Sequence, residues 1–92
     1  MNSYEFEVAC KNELIAKLKE VYNEKIEIQE LHLVWFTKAL KNFKCLIIDL
    51  KENNRYYECT YNGIKKELYV DIYEKKHNFC TRKNDLKTKV VK

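Results

Sequence analysis

The sequence predicts an α+β domain, with an N-terminal helix packed across an antiparallel meander of three or four strands. Three observations predict it. Apolar residues recur at helical spacing between Phe6 and Tyr22. From Leu31 onward the pattern changes to short runs rich in β-branched and aromatic residues, separated by turn signals. Finally, 92 residues suffice for one core only. A chain of this size buries roughly 60–65% of the surface its unfolded form exposes, enough for one sheet on one or two helices. The expected division is a single domain over residues 1–80 and a basic, loosely ordered tail over 81–92.

The helix is expected from Asn2 to about Asn23. Phe6, Cys10, Leu14, Ile15, Leu18, Val21 and Tyr22 form one apolar face. Asn2 with Glu5 three residues later matches a capping box, and Glu7 suits the positive end of the helix dipole. Ile26 and Ile28 then alternate with Glu27 and Gln29, which fits a short strand or an extended connection. "LHLVWFTKAL" reads as a strand, "LKNFK" as a turn, "KCLIIDL" as a central strand under the helix, and "KENNR" as the next turn.

"RYYECTYNGIKKELYVDIY", residues 55–73, reads as a hairpin around Asn62-Gly63. A type I′ turn needs positive φ at both central residues, and Asn-Gly is its strongest signal. With a two-residue loop, Tyr61 faces Ile64, Cys59 faces Lys66, Tyr57 faces Leu68 and Arg55 faces Val70 on the apolar side. On the other side Thr60 meets Lys65, Glu58 meets Glu67 and Tyr56 meets Tyr69. Tyr56, Tyr69 and Tyr73 therefore fall on the face away from the helix, where Thr, Lys and Glu would serve if it were merely wet.

Charge is uneven. The net charge is +4, but residues 53–92 hold ten basic groups against five acids. Apolar residues make up 46% of the chain, so disorder is not expected. No run of 18 apolar residues predicts a transmembrane helix, and the acidic N-terminus does not resemble a secretion signal, so a cytoplasmic location is expected. Lys, Asn, Ile and Tyr are abundant and share A/T-rich codons, which points to a low-GC genome.

Cys10, Cys45, Cys59 and Cys80 contain no C-x-x-C pair and are too sparse for a secreted disulfide framework. They read as reduced, mostly buried thiols that pack as small apolar residues. A zinc site on His77-x-x-Cys80 plus another cysteine is the sharper alternative, but structural zinc sites usually show two short-spaced ligand pairs. No metal or cofactor is therefore expected. Catalysis has no visible set of nucleophile, base and orienting group: His32 reads as a packed histidine within an apolar strand, and Asp49 and Asp71 lie on different strands. The sequence does not read as an enzyme.

The outer-face tyrosines admit three readings. Ordinary cross-strand packing is the plainest. A protein interface at Tyr56, Lys65, Tyr69, Asp71 and Tyr73 is the second, since Tyr is enriched in binding hot spots. The third is nucleic-acid binding by the same rings with Arg55, Lys75, Lys76, Arg82 and Lys83. Glu58, Glu67 and Asp71 on the same face argue against that third reading, and the pI of 8.8 is below the range of strongly basic binders. Self-association through an open strand edge is a further expectation.

"LVWFTKALKNFKCLIID" followed by "RYYECTYNGIKKELYVDIYEKKHN" resembles a family of small, poorly characterised proteins of phages and prophages from low-GC Gram-positive bacteria. The shared elements are a W-F-x-K-x-L-x-N strand and turn (Trp35, Phe36, Lys38, Leu40, Asn42), then Tyr56 to Gly63, then Glu67, Tyr69, Asp71 and Tyr73. The similarity covers Leu31 to Asn78 and carries no catalytic residues with it. It implies a small phage protein made inside a bacterial host that works by binding. Blocking a host defence protein, in the manner of an anti-CRISPR inhibitor, is one such activity.

Overall fold

The computed structural model describes residues 2–51 and 54–87. Helix α1 (Ser3–Tyr22) precedes four strands: β1 (Leu31–Ala39), β2 (Asn42–Asp49), β3 (Arg55–Asn62) and β4 (Glu67–Glu74). The strands form one antiparallel sheet in the order β1-β2-β3-β4, a simple meander, and the helix lies across one face. The fold is α+β, as the sequence predicts.

The helix starts where its cap requires. The Asn2 side chain accepts from the Glu5 amide at 2.8 Å, and the Glu5 carboxylate accepts from the Asn2 amide at 3.2 Å, so two otherwise unpaired donors are satisfied. It stops at Asn23, which adopts the left-handed conformation (φ 55°) while the Glu24 amide reaches back to the Leu18 carbonyl. Phe6, Cys10, Leu14 and Leu18 are its buried stripe. The segment containing Ile26 and Ile28 is a connection rather than a strand. It ends in one 3₁₀ turn, Ile28–Glu30, and buries Ile26.

Strand β2 alternates cleanly: Phe43, Cys45, Ile47 and Asp49 point under the helix, while Leu46 and Ile48 point away. The β1–β2 connection is tighter than "LKNFK" suggests, because Ala39 already pairs with Asn42 and only Leu40 and Lys41 form the loop. Leu40 takes positive φ there (57°). Of the expected turn at "KENNR", residues 52 and 53 lie outside the described residues, as do residues 88–92 of the expected tail. Residues 81–87 are exposed and contain one 3₁₀ turn, Lys83–Asp85.

The β3–β4 register differs from the expected one. Asn62 pairs with Glu67, Tyr61 with Leu68, Tyr57 with Ile72 and Tyr56 with Tyr73, so the loop is Gly63–Lys66 rather than Asn62-Gly63. The reason is local. The Asn62 side chain accepts from the Ile64 and Lys65 amides at 3.0 and 3.1 Å, which folds a wider turn, and Lys66 supplies the positive φ (56°). Each partner is displaced by four residues. An even displacement leaves every side chain on its expected face, so the sorting of tyrosines survives the change of register. Gly63 does not have positive φ. It is needed because the two hairpin tips touch: a Cβ there would lie 2.1 Å from the Lys41 carbonyl oxygen.

The core lies between α1 and the inner face. Phe6 stacks on Phe43 and tilts against Phe36, with ring centroids 5.1 and 5.9 Å away. Arg55 is buried at the C-terminal end of the helix. Its guanidinium donates to both Glu24 carboxylate oxygens at 2.6 and 2.7 Å and covers the Tyr22 ring at 4.5 Å, while the Tyr22 hydroxyl donates to Glu74. That cluster joins the helix end to the strand ends.

Candidate functional site

The outer face of the sheet is the broad surface that no described element covers. Strand alternation places Tyr56, Glu58 and Thr60 of β3 on it, with Glu67, Tyr69, Asp71 and Tyr73 of β4. From β2 come Lys44, Leu46 and Ile48. From β1 come His32, Trp35 and Thr37.

Trp35 reaches this face through a bulge. Leu33 pairs with Ile47 and Trp35 with Leu46, so Val34 is the extra residue. Strict alternation from Leu31 and Leu33 would have turned Trp35 inward and Phe36 outward. The bulge reverses them. Phe36 joins Phe6 and Phe43 in the core, and Trp35 stays 41% exposed on the opposite face.

Register then lines these side chains into rows across the sheet. One row is His32, Ile48, Tyr56, Tyr73, and the next is Trp35, Leu46, Glu58, Asp71. Tyr56 and Tyr73 stack with centroids 4.9 Å apart and planes 11° from parallel. Tyr73 and Tyr69 remain 39% and 48% exposed. The surface is thus an aromatic and aliphatic strip beside an acidic one.

Its electrostatics follow from Glu58 and Asp71, which are direct cross-strand partners of like charge. Lys44 relieves them with an ion pair to Glu58 at 2.9 Å, and that hydrogen bond raises the lysine pKa. The negative charges of Glu58 and then Asp71 push the Tyr73 hydroxyl up. Tyr69 is also raised, because its hydroxyl donates to Glu67. Both shifts favour the neutral hydroxyl, and Tyr69 uses its own as a donor to Glu67.

The expected contact residues separate on this framework. Tyr56, Tyr69, Asp71 and Tyr73 share the outer face. Lys65 is not among them: it sits in the exposed β3–β4 loop and has no cross-strand partner, because the loop is longer than expected. Arg55 faces the helix, engaged with Glu24 and Tyr22. Lys75, Lys76, Arg82 and Lys83 are exposed beyond the end of β4, with Lys75 and Lys76 lining a shallow depression beside Asn54 and His77. His32 is not packed within the core. It is exposed on the outer face beside Ile48. The sequence reading also missed Trp35, Leu46 and Ile48. For Trp35 the signal was present in four consecutive apolar residues, Leu33 to Phe36, which no strict alternation can sort.

The cysteines divide as well. Cys80 is exposed, and His77 stacks on Phe79. Cys10, Cys45 and Cys59 are buried and converge, with all three sulfurs within 4.8 Å of one another. Hydrogen bonding with Cys45 and Cys59, then burial, pushes the Cys10 thiol far up, so it is protonated at neutral pH. Among the described residues this is the grouping whose donor atoms lie close enough to share an ion, and neither His77 nor Cys80 belongs to it.

Among the described residues no helix is long and apolar enough to cross a membrane. No curated protein and no solved structure matches the chain. A family profile does, over residues 7–83, which takes in most of α1 and all four strands; the chain belongs to this family of unknown function, DUF6275.

Proposed function

We propose that this protein is a small binding module that occludes the working surface of another protein with the outer face of its sheet. The observation that carries the reading is the strip Trp35, Leu46, Ile48, Tyr56 and Tyr73, which crosses all four strands and which no helix among the described residues covers. Contiguous exposed apolar surface edged by polar groups is the usual mark of a docking site. Trp and Tyr supply large contact area at low entropic cost. Tyr69 and Asp71 would form the polar rim.

The charge of the face favours a protein over a nucleic acid. Glu58, Glu67 and Asp71 outnumber Lys44 there, so a phosphate backbone laid on the tyrosines would meet carboxylates. A partner presenting Lys or Arg beside an apolar patch is complementary. The resemblance to phage and prophage proteins supplies the setting: the cytoplasm of a low-GC Gram-positive host, with a defence-system protein as the target.

The test is capture of partners by the full chain from lysate of such a host, with and without nuclease, beside the Trp35→Ala/Tyr73→Ala variant. The expected result is one host protein in stoichiometric amount, indifferent to nuclease and lost with the variant. Recovery that disappears with nuclease would replace this reading with nucleic-acid binding through the exposed Lys75, Lys76, Arg82 and Lys83. Capture that survives both substitutions would remove the outer face from the mechanism.

A further inference from the structure

We propose that Cys10, Cys45 and Cys59 form a three-sulfur site for a soft closed-shell metal ion, with Cu⁺ the ion that fits it. The three come from three different elements. Cys45 and Cys59 are direct partners across the β2–β3 ladder, and Cys10 descends on them from the middle of α1. All three are fully buried, and their sulfurs lie within 4.8 Å of one another. A point equidistant from three such sulfurs is at most about 2.8 Å from each, and metal–thiolate bonds run about 2.3 Å, so a shift of about 0.5 Å per sulfur closes the site.

Donor chemistry selects the ion. The set is sulfur alone, which favours thiophilic ions over those that seek oxygen or imidazole. Zinc in a closed protein site takes four ligands. Here the three sulfurs belong to the same buried core cluster as Phe6, Leu14, Ile47 and Tyr57, and no further His, Cys, Asp or Glu among the described residues joins them. Three sulfurs complete the shell of Cu⁺ and leave Zn²⁺ one ligand short. Each sulfur that ligates as thiolate gives its proton to solvent, with no change of oxidation state. Because Cys10 is on the helix and the other two are on the sheet, the ion would fasten the two layers together, entering as the helix docks.

The full chain and its Cys80→Ser variant, reduced and metal-free, are titrated anaerobically with Cu⁺ against a colorimetric Cu⁺ chelator. We expect both to retain one equivalent, X-ray absorption to find three sulfur neighbours around copper, and Cys45→Ala in the Cys80→Ser background to lose the equivalent. Zn²⁺ in the same series should bind more weakly. No uptake by the Cys80→Ser protein, fewer than three sulfur neighbours, or an unchanged equivalent in the Cys45→Ala protein would overturn the proposal. Equally tight Zn²⁺ at these sulfurs would overturn the choice of ion. The sulfur count on the Cys80→Ser protein decides the matter even if the core variant fails to fold.

Discussion

The two faces of the sheet are built from the same alternating strands and meet opposite fates. The inner face holds Phe43, Cys45, Ile47, Tyr57 and Cys59 under the helix, and each is almost fully shielded from water. The outer face carries side chains just as large: Trp35, Leu46, Ile48, Tyr56, Tyr69 and Tyr73. Nothing described lies over them. Removing apolar surface from water is the main force that folds a chain, and only one of these faces uses it fully. Residues on the inner face are therefore held by folding. On the outer face, aromatic rings keep part of their surface in water, so folding leaves some of their burial unrealised.

The largest expected effect sets the two faces directly against each other. Phe6→Ala removes a fully buried ring from contact with Phe36 and Phe43, and such deletions cost about 3–5 kcal/mol. That is a large part of the stability of a domain this small. Trp35→Ala deletes a larger ring from the outer face, yet should cost only about 1 kcal/mol, the scale of a cross-strand pair. Urea unfolding of both variants measures the contrast. Equal losses would break the distinction between the faces.

Next is Gly63→Ala, which tests what holds the hairpin tips together. The added methyl would collide with the Lys41 backbone, so the two turns must part, at a cost of about 1–3 kcal/mol. The same change at an unobstructed site usually stabilises by a few tenths of a kcal/mol or more through the unfolded state. A neutral or stabilising result in thermal melts would mean that the tips do not touch.

How much was legible follows from how far apart the interacting residues lie. The capping box and most of the helical stripe are local patterns, and Phe6, Cys10, Leu14 and Leu18 are buried where the sequence places them, whereas Val21 and Tyr22 at the end of the expected stripe are exposed. The sorting of Tyr57 from Tyr56, Tyr69 and Tyr73 depends only on a period of two, so it survived an incorrect loop length. The register itself was not legible. Asn-Gly suggested a two-residue turn, whereas the glycine answers to Lys41, on another hairpin. Trp35 was missed because a bulge at Val34 changes phase within an unbroken apolar run. The Arg55–Glu24 pair and the convergence of Cys10 on Cys45 and Cys59 join residues far apart in the chain, and nothing nearby in sequence marks them.

A smaller effect sharpens the outer face and checks the register. Tyr56 and Tyr73 stack, so a double-mutant cycle with Tyr→Ala at both positions should give a coupling of about 0.5–1.5 kcal/mol. The cycle between Tyr56 and Tyr69, the pair that a two-residue loop would have placed opposite each other, should give a coupling near zero. Coupling in the second pair and none in the first would restore that shorter loop.

The smallest effect lies at the margin where the two faces meet. Glu30 accepts from the Glu27 amide at 3.1 Å and pairs with Lys51 at 3.0 Å, while its carbonyl accepts from the Leu50 amide. These contacts tie the entry to β1 to the segment leaving β2. The Lys51 hydrogen bond, then the one from the Glu27 backbone, holds the Glu30 carboxyl below its ordinary range. A carboxyl depressed in the folded state contributes stability that is fully present above its unfolded pKa, about 4.3, and is lost as pH falls through the lower folded value. Glu30→Gln keeps the side-chain size and removes that contribution. The melting temperatures of the two proteins should therefore differ by a small, constant amount at neutral pH and converge as the solution is acidified below about pH 4. A gap that widens on acidification would reverse the sign of this linkage and remove Glu30 from the clamp. A gap that vanishes in high salt at neutral pH would assign the effect to the exposed Lys51 ion pair alone, because screening weakens that charge and leaves the backbone hydrogen bond in place.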